Sequence, residues 1–267
     1  MDKASVLGLG VGVGAILLGN ALEGGHLSSL VQPTAALIVV GGTIGATLIG
    51  YPLSTFIHAC KALKNVFFGG EQDDTPALIQ EITGFALKAR RDGILSLEDQ
   101  LVNVQHPFLR RALVMAVDGL DSKSMRENLE GMLDRLDEEG ELPAKVWESA
   151  GGYAPTIGII GAVMGLIHVM QNLSDVGKVG AGIAVAFVAT IYGVGLANLV
   201  FLPASGKLKL RHKNEIAKLN LMMEGALAIQ EGQNPNLIAE KLSNLGPSDD
   251  ANKKADSGAR GVPAEAR

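Results

Sequence analysis

The sequence predicts an all-α membrane protein, with four transmembrane helices and a helical cytoplasmic domain inserted between helices 2 and 3. Three observations carry that prediction. Of 267 residues, 47% are apolar and only 19% charged, giving a mean hydropathy of +0.25. The charges are placed so that no Asp, Glu, Lys or Arg lies between Lys3 and Glu23, Glu23 and Lys61, Glu148 and Asp175, or Lys178 and Lys207. Each gap can hold the roughly 20 apolar residues that cross a bilayer as a helix. Finally, no run alternates with period two for long enough to make a strand.

The first span is placed at 4–22. It follows Met-Asp-Lys and could pass for a signal peptide, but the run is too long and no small-x-small site precedes Glu23, so it is expected to be retained. A turn from Gly24 to Pro33 leads into the second span, 34–56. Beyond Lys61 the chain reads as water-soluble helix. Thr75-Pro76 is an N-cap with proline at the first helical position, opening a helix to about Arg91 that Gly93 stops. Ser96 with Asp99 resembles a capping box for a second helix. Pro107 starts a third, ending near Gly119, and Ser122 a fourth, with Leu129, Met132, Leu133 and Leu136 as one apolar stripe. The third and fourth spans follow at 151–170 and 181–203. A polar helix from about Lys207 to Gln230 and a short one near Leu237–Leu242 come next, and the tail from Pro247 is expected to be disordered. The chain thus divides into spans 1 and 2 (1–60), a cytoplasmic helical segment (61–148), spans 3 and 4 (149–206), C-terminal cytoplasmic helices (207–245) and the tail (246–267).

Lysine and arginine near the span ends set the orientation. The turn from Glu23 to Pro33 has neither, and the second turn has only Lys178. Lys61 and Lys64 follow span two, and Lys207, Lys209, Arg211, Lys213 and Lys218 follow span four. Both termini and the 61–148 segment are therefore expected in the cytoplasm. The net charge of −5 comes from an acid excess in that segment, and nothing resembles a nucleic-acid surface. Cys60 is the single cysteine, which excludes an internal disulfide and a cysteine metal cage. The histidines at 26, 58, 106, 168 and 212 never pair at ligand spacing, so no metal site and no cofactor are expected.

Ionisable residues inside a membrane usually mark ion paths. Here the spans contain none except His168, near the end of the third. They offer only hydroxyls, chiefly Thr43, Thr47, Thr156 and Thr190. Each hydroxyl could bond its own i−4 carbonyl, and for Thr156 and Thr190 that reading and an ion-path role stand side by side. If ions cross beside this chain, another subunit supplies the titrating group. Small residues such as Gly8, Gly10, Gly12, Gly14, Gly41, Gly45, Gly161 and Gly165 read as close helix packing. Pro155 opens the third span and Pro203 closes the fourth; inside longer helices, each would cut a backbone hydrogen bond and make a hinge.

Two short-turn span pairs flank a large cytoplasmic segment. Ala-Pro-Thr-Ile-Gly-Ile-Ile-Gly opens the third span, Tyr-Gly-Val-Gly-Leu-Ala-Asn-Leu-Val-Phe-Leu-Pro closes the fourth, and Gly-Ala-Leu-Ala-Ile-Gln-Glu-Gly-Gln-Asn-Pro occupies 225–235. Over residues 1 to about 245 this pattern resembles the flagellar stator A-subunit family, motility protein A. The resemblance implies a bacterial inner-membrane motor subunit without covalent catalysis. Five copies would surround two B-type partner subunits, which carry the single membrane Asp and a peptidoglycan-binding domain. It also implies that a cytoplasmic Arg and a Glu eight residues later face the rotor's switch-ring protein. Arg90 and Glu98 stand at that spacing, although by themselves they read as a solvated charged face. Where sodium-driven relatives tend to carry more threonines, this chain has Ala162 and Ala189, beside the hydroxyls of Thr190 and Thr156, so the resemblance implies a proton as the coupling ion. The rival reading is an ion-driven energiser or accessory channel scaffold of the related outer-membrane transport family. Four spans and the Arg90/Glu98 pair speak against it.

Overall fold

Every regular element among the described residues is helical, and none is a strand. The computed structural model describes residues 3–68 and 74–245. The tail expected to be disordered, 246–267, lies outside the described residues.

Helix α1 is Lys3–Leu22. It ends where Gly24 takes a φ of +82°, with Gly24 N–H donating to Ala21 O and Gly25 N–H to Asn20 O. Those two bonds satisfy carbonyls that the helix end would leave unpaired. A 3₁₀ turn, Leu27–Leu30, precedes Pro33, and α2 then runs in three contiguous pieces: Pro33–Ala36, a π-type turn Leu37–Gly41, and Gly42–Gly50. This second span ends at Gly50, short of the 56 expected. Tyr51 is extended, with φ −136° and ψ 143°, the backbone that the ring of Pro52 favours at the preceding residue. Helix α3, Leu53–Phe68, starts afresh beyond it.

Helix α4 is Thr75–Asp92, with Pro76 in its first turn. The cap position belongs to Asp74, one residue before the expected Thr75. Gly93 at φ +86° stops it, as expected. The helix expected from Ser96 is instead a 3₁₀ stretch, Ile94–Asn103. Ser96 Oγ donates back to Gly93 O at 2.6 Å, so the hydroxyl serves the turn and not a capping box. Helix α5 is Pro107–Val117, and α6 is a single 50-residue helix, Ser122–Gln171, with Pro143 and Pro155 inside it. Asp121 caps it by accepting from Lys123 N and Ser124 N. Helix α7 spans Val176–Gln230, broken only by a π-type turn at Ala197–Phe201. Helix α8, Pro235–Leu245, ends the described chain.

Four of these helices are long and apolar enough to cross a membrane: Ala4–Leu22, Leu27–Gly50, and parts of Ser122–Gln171 and Val176–Gln230. Since about 20 residues suffice to cross, α6 and α7 each carry a long stretch beyond the span.

The chain forms two compact units. Among the described residues, one comprises 3–68 with 139–211 and the other 74–138 with 212–245. The first holds the spans. Its two small cores are Ala35, Val39, Val188 and Ala189, and Ala59, Val146, Trp147 and Ala150. Around the latter, Trp147 Nε1 donates to Ala59 O at 2.8 Å, and its ring lies 5.5 Å from that of Phe201 and 6.3 Å from Phe56. Ser205 Oγ donates to Ala144 O and Lys209 pairs with Glu148 at 2.7 Å, joining α7 to α6. In the second unit a larger core is built on Ile82, Leu97, Leu109, Leu113, Met125, Leu129, Leu221, Leu227, Ile238 and Leu242. Of the expected α6 stripe, Leu129 is fully buried, Met132 and Leu133 pack against the core, and Leu136 is 40% exposed.

Candidate functional site

In the spans, α6 and α7 cross backbone against backbone. A Cβ added at Gly165 would stand 2.8 Å from Gly182 O, one at Gly158 2.9 Å from Ala189 O, and one at Gly193 2.5 Å from Ala154 O. None of those glycines tolerates a side chain without moving a helix. Helix α2 joins the same crossing, because a Cβ at Gly42 would meet Ile157 Cγ2 at 2.7 Å and one at Gly161 would meet Ile38 Cγ2 at 3.4 Å.

The four residues expected along an ion path occupy different parts of this arrangement. Ala189 is fully buried, and a Cβ at Gly161 would come within 2.8 Å of its methyl, so Ala189 faces the crossing. Thr190, the next residue, is half-buried and its hydroxyl donates to Ala186 O at 3.2 Å. Ala162 borders the crossing and is half-buried. Thr156 is exposed, with its hydroxyl bonded to Tyr153 O at 2.8 Å. Helical spacing puts it on the side of α6 away from Gly158, Gly161 and Gly165. Thr47 donates to Thr43 O, whereas Thr43 Oγ1 is buried with no partner among the described residues. The structure therefore does not gather Thr156, Ala162, Ala189 and Thr190 onto one surface of this chain. Nor do the described residues hold any group of three His, Cys, Asp or Glu that could bind a metal.

Both candidate hinges lie inside long helices that continue through them. Pro155 lies one turn after Gly151, whose carbonyl it leaves without a helical donor. At Gly151 a Cβ would clash with Leu202 Cδ2 at 2.6 Å, so this weakened turn of α6 touches the residue just before Pro203 on α7. Immediately upstream of Pro203 lies the π-type turn Ala197–Phe201. A widened turn there accommodates a proline whose ring would otherwise strike the carbonyl of Leu199.

Sequence reasoning missed the clasp made by Tyr192. Its phenol donates to Leu30 O at 2.5 Å and accepts from Gln32 N–H at 3.3 Å, fixing the start of α2 to α7. It missed the Trp147 cluster too. A lone tryptophan in sequence gives no sign of its partner.

In the second unit, Arg90 is exposed in the last turn of α4 and Glu98 is exposed on the 3₁₀ stretch, the two flanking the Gly93 turn. Arg91 is held by Asp92 through Nε and Nη2 at 2.9 and 2.8 Å. Elsewhere in this unit, charge ties the helices together. Glu224 of α7 accepts from Arg126 of α6 and Lys241 of α8, each at 2.7 Å. Burial pushes its carboxyl upward, but the hydrogen bonds from Arg126 and Lys241 more than offset this and leave it below the usual carboxylate range. Glu215 is held down chiefly by the His106 imidazole, 3.6 Å away. Gln230 of α7 donates to Leu120 O at 2.8 Å and pairs with Ser122, closing the turn between α5 and α6.

Comparison with known proteins covers nearly the whole chain. Residues 100–221 match the MotA/TolQ/ExbB proton channel family, and residues 6–93 match the motility protein A N-terminal family. Motility protein A of Bacillus subtilis (strain 168) is 34% identical over 258 residues, covering 97% of this chain and 96% of that protein. Among solved structures, MotAB from C. jejuni superposes with a TM-score of 0.86 at 32% identity, over 93% of this chain and 97% of the matched chain. The flagellar MotAB stator complex from Bacillus subtilis gives 0.83 at 34% identity, over 95% and 100%.

Proposed function

The chain belongs to the motility protein A family, and from that premise we propose how its parts divide the work. It is a stator subunit of the bacterial flagellar motor, a multi-pass membrane protein of an ion-conducting complex. The rival reading as an outer-membrane transport energiser lapses, because residues 6–93 match the motility protein A N-terminal family and both solved structures are MotAB, one of them described as a flagellar stator complex.

A B-type partner completes the complex, as in the MotAB structures. In our reading that partner carries the membrane Asp and a peptidoglycan-binding domain, and five copies of this chain surround a partner dimer. The observation that supports a membrane carboxylate on the partner is the absence of any Asp, Glu, Lys or Arg from the four spans. A chain that conducts ions without an ionisable group of its own must border another that has one. Both termini and the 61–148 segment face the cytoplasm, which puts Arg90 and Glu98 before the rotor's switch-ring protein. Proton flow past the partner Asp then moves α6 and α7 about Pro155 and Pro203, and the motion reaches the rotor as torque. Thr190 and Ala162 border the path. Thr156 and Ala189 shape it from outside, the latter through the helix crossing.

Reversing Arg90 or Glu98 tests the rotor assignment. Exposed charges fix register and steer partners more than they supply affinity. Arg90→Glu and Glu98→Lys are therefore expected to cut swimming while the complex still copurifies with its partner from membranes. Loss of membrane assembly in Arg90→Glu would make the residue structural instead.

A further inference from the structure

Of the four spans, α1 is the least packed by its own chain. No part of its membrane-spanning window is buried, and Val6, Leu7, Val11, Ile16 and Leu18 are all exposed along it. It meets α7 where a Cβ at Gly12 would stand 3.1 Å from Leu199 Cδ2, and again where Lys207 Nζ donates to Ser5 Oγ at 2.8 Å. Around these contacts the two helices leave a groove. The part nearer Lys207, about 210 Å³, is lined by Ser5, Gly8, Asn198 and Pro203, with Leu199 and Val200 as its floor. The deeper part, about 240 Å³, starts from the same Leu199 and Val200 and continues between Val13, Ile16 and Leu17 on one side and Ile191 and Gly195 on the other.

Gly8 does not serve close packing within this chain. A Cβ there, like one at Gly195, would meet nothing within 4 Å, so both glycines widen the groove. From Ser5 to Leu17 the helix rises about 18 Å, close to the ~15 Å of hydrocarbon in one leaflet of a bilayer. The mouth at Ser5 is cationic. Helices α1 and α3 and the stretch Leu202–Arg211 of α7 carry Lys61, Lys64, Lys207, Lys209 and Arg211 besides Lys3, and no acid among the described residues. Asp2 lies outside those residues. The carboxylates of that end, Glu139, Glu141 and Glu148, belong to α6, where Glu141 pairs with Lys145 and Glu148 with Lys209. Burial, and after it the Arg211 guanidinium, holds the Lys207 ammonium below the usual lysine range. An anion seated beside it acts in the opposite sense.

We propose that this groove holds one anionic phospholipid, with its phosphate on Lys207 and Ser5 and one acyl chain lying along Gly8, Leu199 and Gly195. The orientation proposed above makes it a lipid of the cytoplasmic leaflet, but the site itself does not depend on that reading. The apolar length of the groove matches a chain of one leaflet, and the polar groups stand only at the end where a headgroup would lie. A zwitterionic headgroup brings its own ammonium to a mouth already cationic, so a headgroup of net negative charge is favoured. A helix of another protein would fill the apolar part and leave Lys207 and Arg211 without an anion. Pro203 lines the groove, so the proposed hinge in α7 moves against an acyl chain in place of packed side chains.

The test uses the whole complex with its B-type partner, reconstituted in bilayers of equal phosphatidylglycerol and phosphatidylethanolamine, then released and weighed by native mass spectrometry. The unaltered complex is expected to retain phosphatidylglycerol in preference to phosphatidylethanolamine. Gly8→Leu and Gly195→Leu fill the groove and are expected to remove most of the retained lipid while the number of copies per complex stays the same. Lys207→Gln is expected to lower the ratio of phosphatidylglycerol to phosphatidylethanolamine by about tenfold, as loss of one charge-assisted hydrogen bond does, and Lys207→Arg to preserve it. Equal retention of the two lipids by the unaltered complex overturns the proposal, and so does retention that none of the three disruptive variants changes. If the unaltered complex retains neither lipid, a second copy of the chain fills the groove and the proposal fails. Should a glycine variant not assemble, the ratio in Lys207→Gln decides.

Discussion

Glu224 shows how one side chain can hold the soluble unit together. It is the only carboxylate among the described residues that joins α6, α7 and α8 at once, through Arg126 and Lys241. Its side chain is 18% exposed, while its partners are 41% and 43% exposed. Replacing it by glutamine leaves those cations able to hydrate, so the expected loss is modest, about 1–2 kcal/mol. The pH dependence has a definite sign. Glu224 and Glu215 both titrate below their usual range when folded. Their stabilisation is fully present above the unfolded carboxyl value of about 4.3 and is lost as pH falls through the folded values. Thermal melting of the purified complex as pH is lowered from about 5 to about 2.5 is expected to fall more steeply in the wild type than in Glu224→Gln. Equal slopes would show that the network adds nothing to acid sensitivity.

At the scale of elements, the long helices matter through their interruptions. Pro155→Ala restores a donor to Gly151 O, and Pro203→Ala removes the ring that the π-type turn accommodates. Both variants are expected to assemble, to melt slightly higher and to swim poorly, because a hinge has been replaced by continuous helix. Normal swimming in both would end the hinge assignment. The same elements show what a sequence can carry. The charge gaps located four spans, and Gly93, Pro107 and Gly119 marked real helix ends, because such residues act through their own backbone. Charge gaps carry the second span to 56 because the apolar run continues through Pro52, whereas the chain leaves the helix after Gly50 and is extended at Tyr51 before the proline ring. Ser96 was misread because its hydroxyl had two possible backbone partners and bonded Gly93 O. The crossing at Ala189 depends on which helix comes alongside. Periodicity along one strip of chain contains no record of that, so a fully buried alanine and a half-buried one such as Ala162 look alike until the fold is known.

At the scale of the molecule, a membrane subunit without an intramembrane carboxylate makes its ion choice jointly with a partner, and its own contribution is the set of oxygens it can bring. Sodium must be held by several oxygens as its water is stripped away, whereas a proton needs only the partner carboxylate and a chain of water. This chain brings few. The hydroxyl of Thr190 already donates to Ala186 O and that of Thr156 to Tyr153 O, leaving only lone pairs to share, and Ala162 adds none. Ala189 adds none and has no room to gain one, since its methyl lies in the crossing beside Gly161. Two outcomes follow for threonine substitutions. Ala162→Thr is expected to be tolerated, because that position keeps partial exposure. Ala189→Thr is expected to force α6 and α7 apart and reduce assembly with the partner, without producing a sodium-driven motor. The decisive measurement is swimming speed against external sodium at fixed pH, with and without a protonophore. Speed is expected to be independent of sodium and abolished by the protonophore. Speed that rises with sodium and survives the protonophore would overturn the proton assignment, and the missing oxygens would then have to come from the partner or from backbone carbonyls at the Pro155 and Pro203 interruptions.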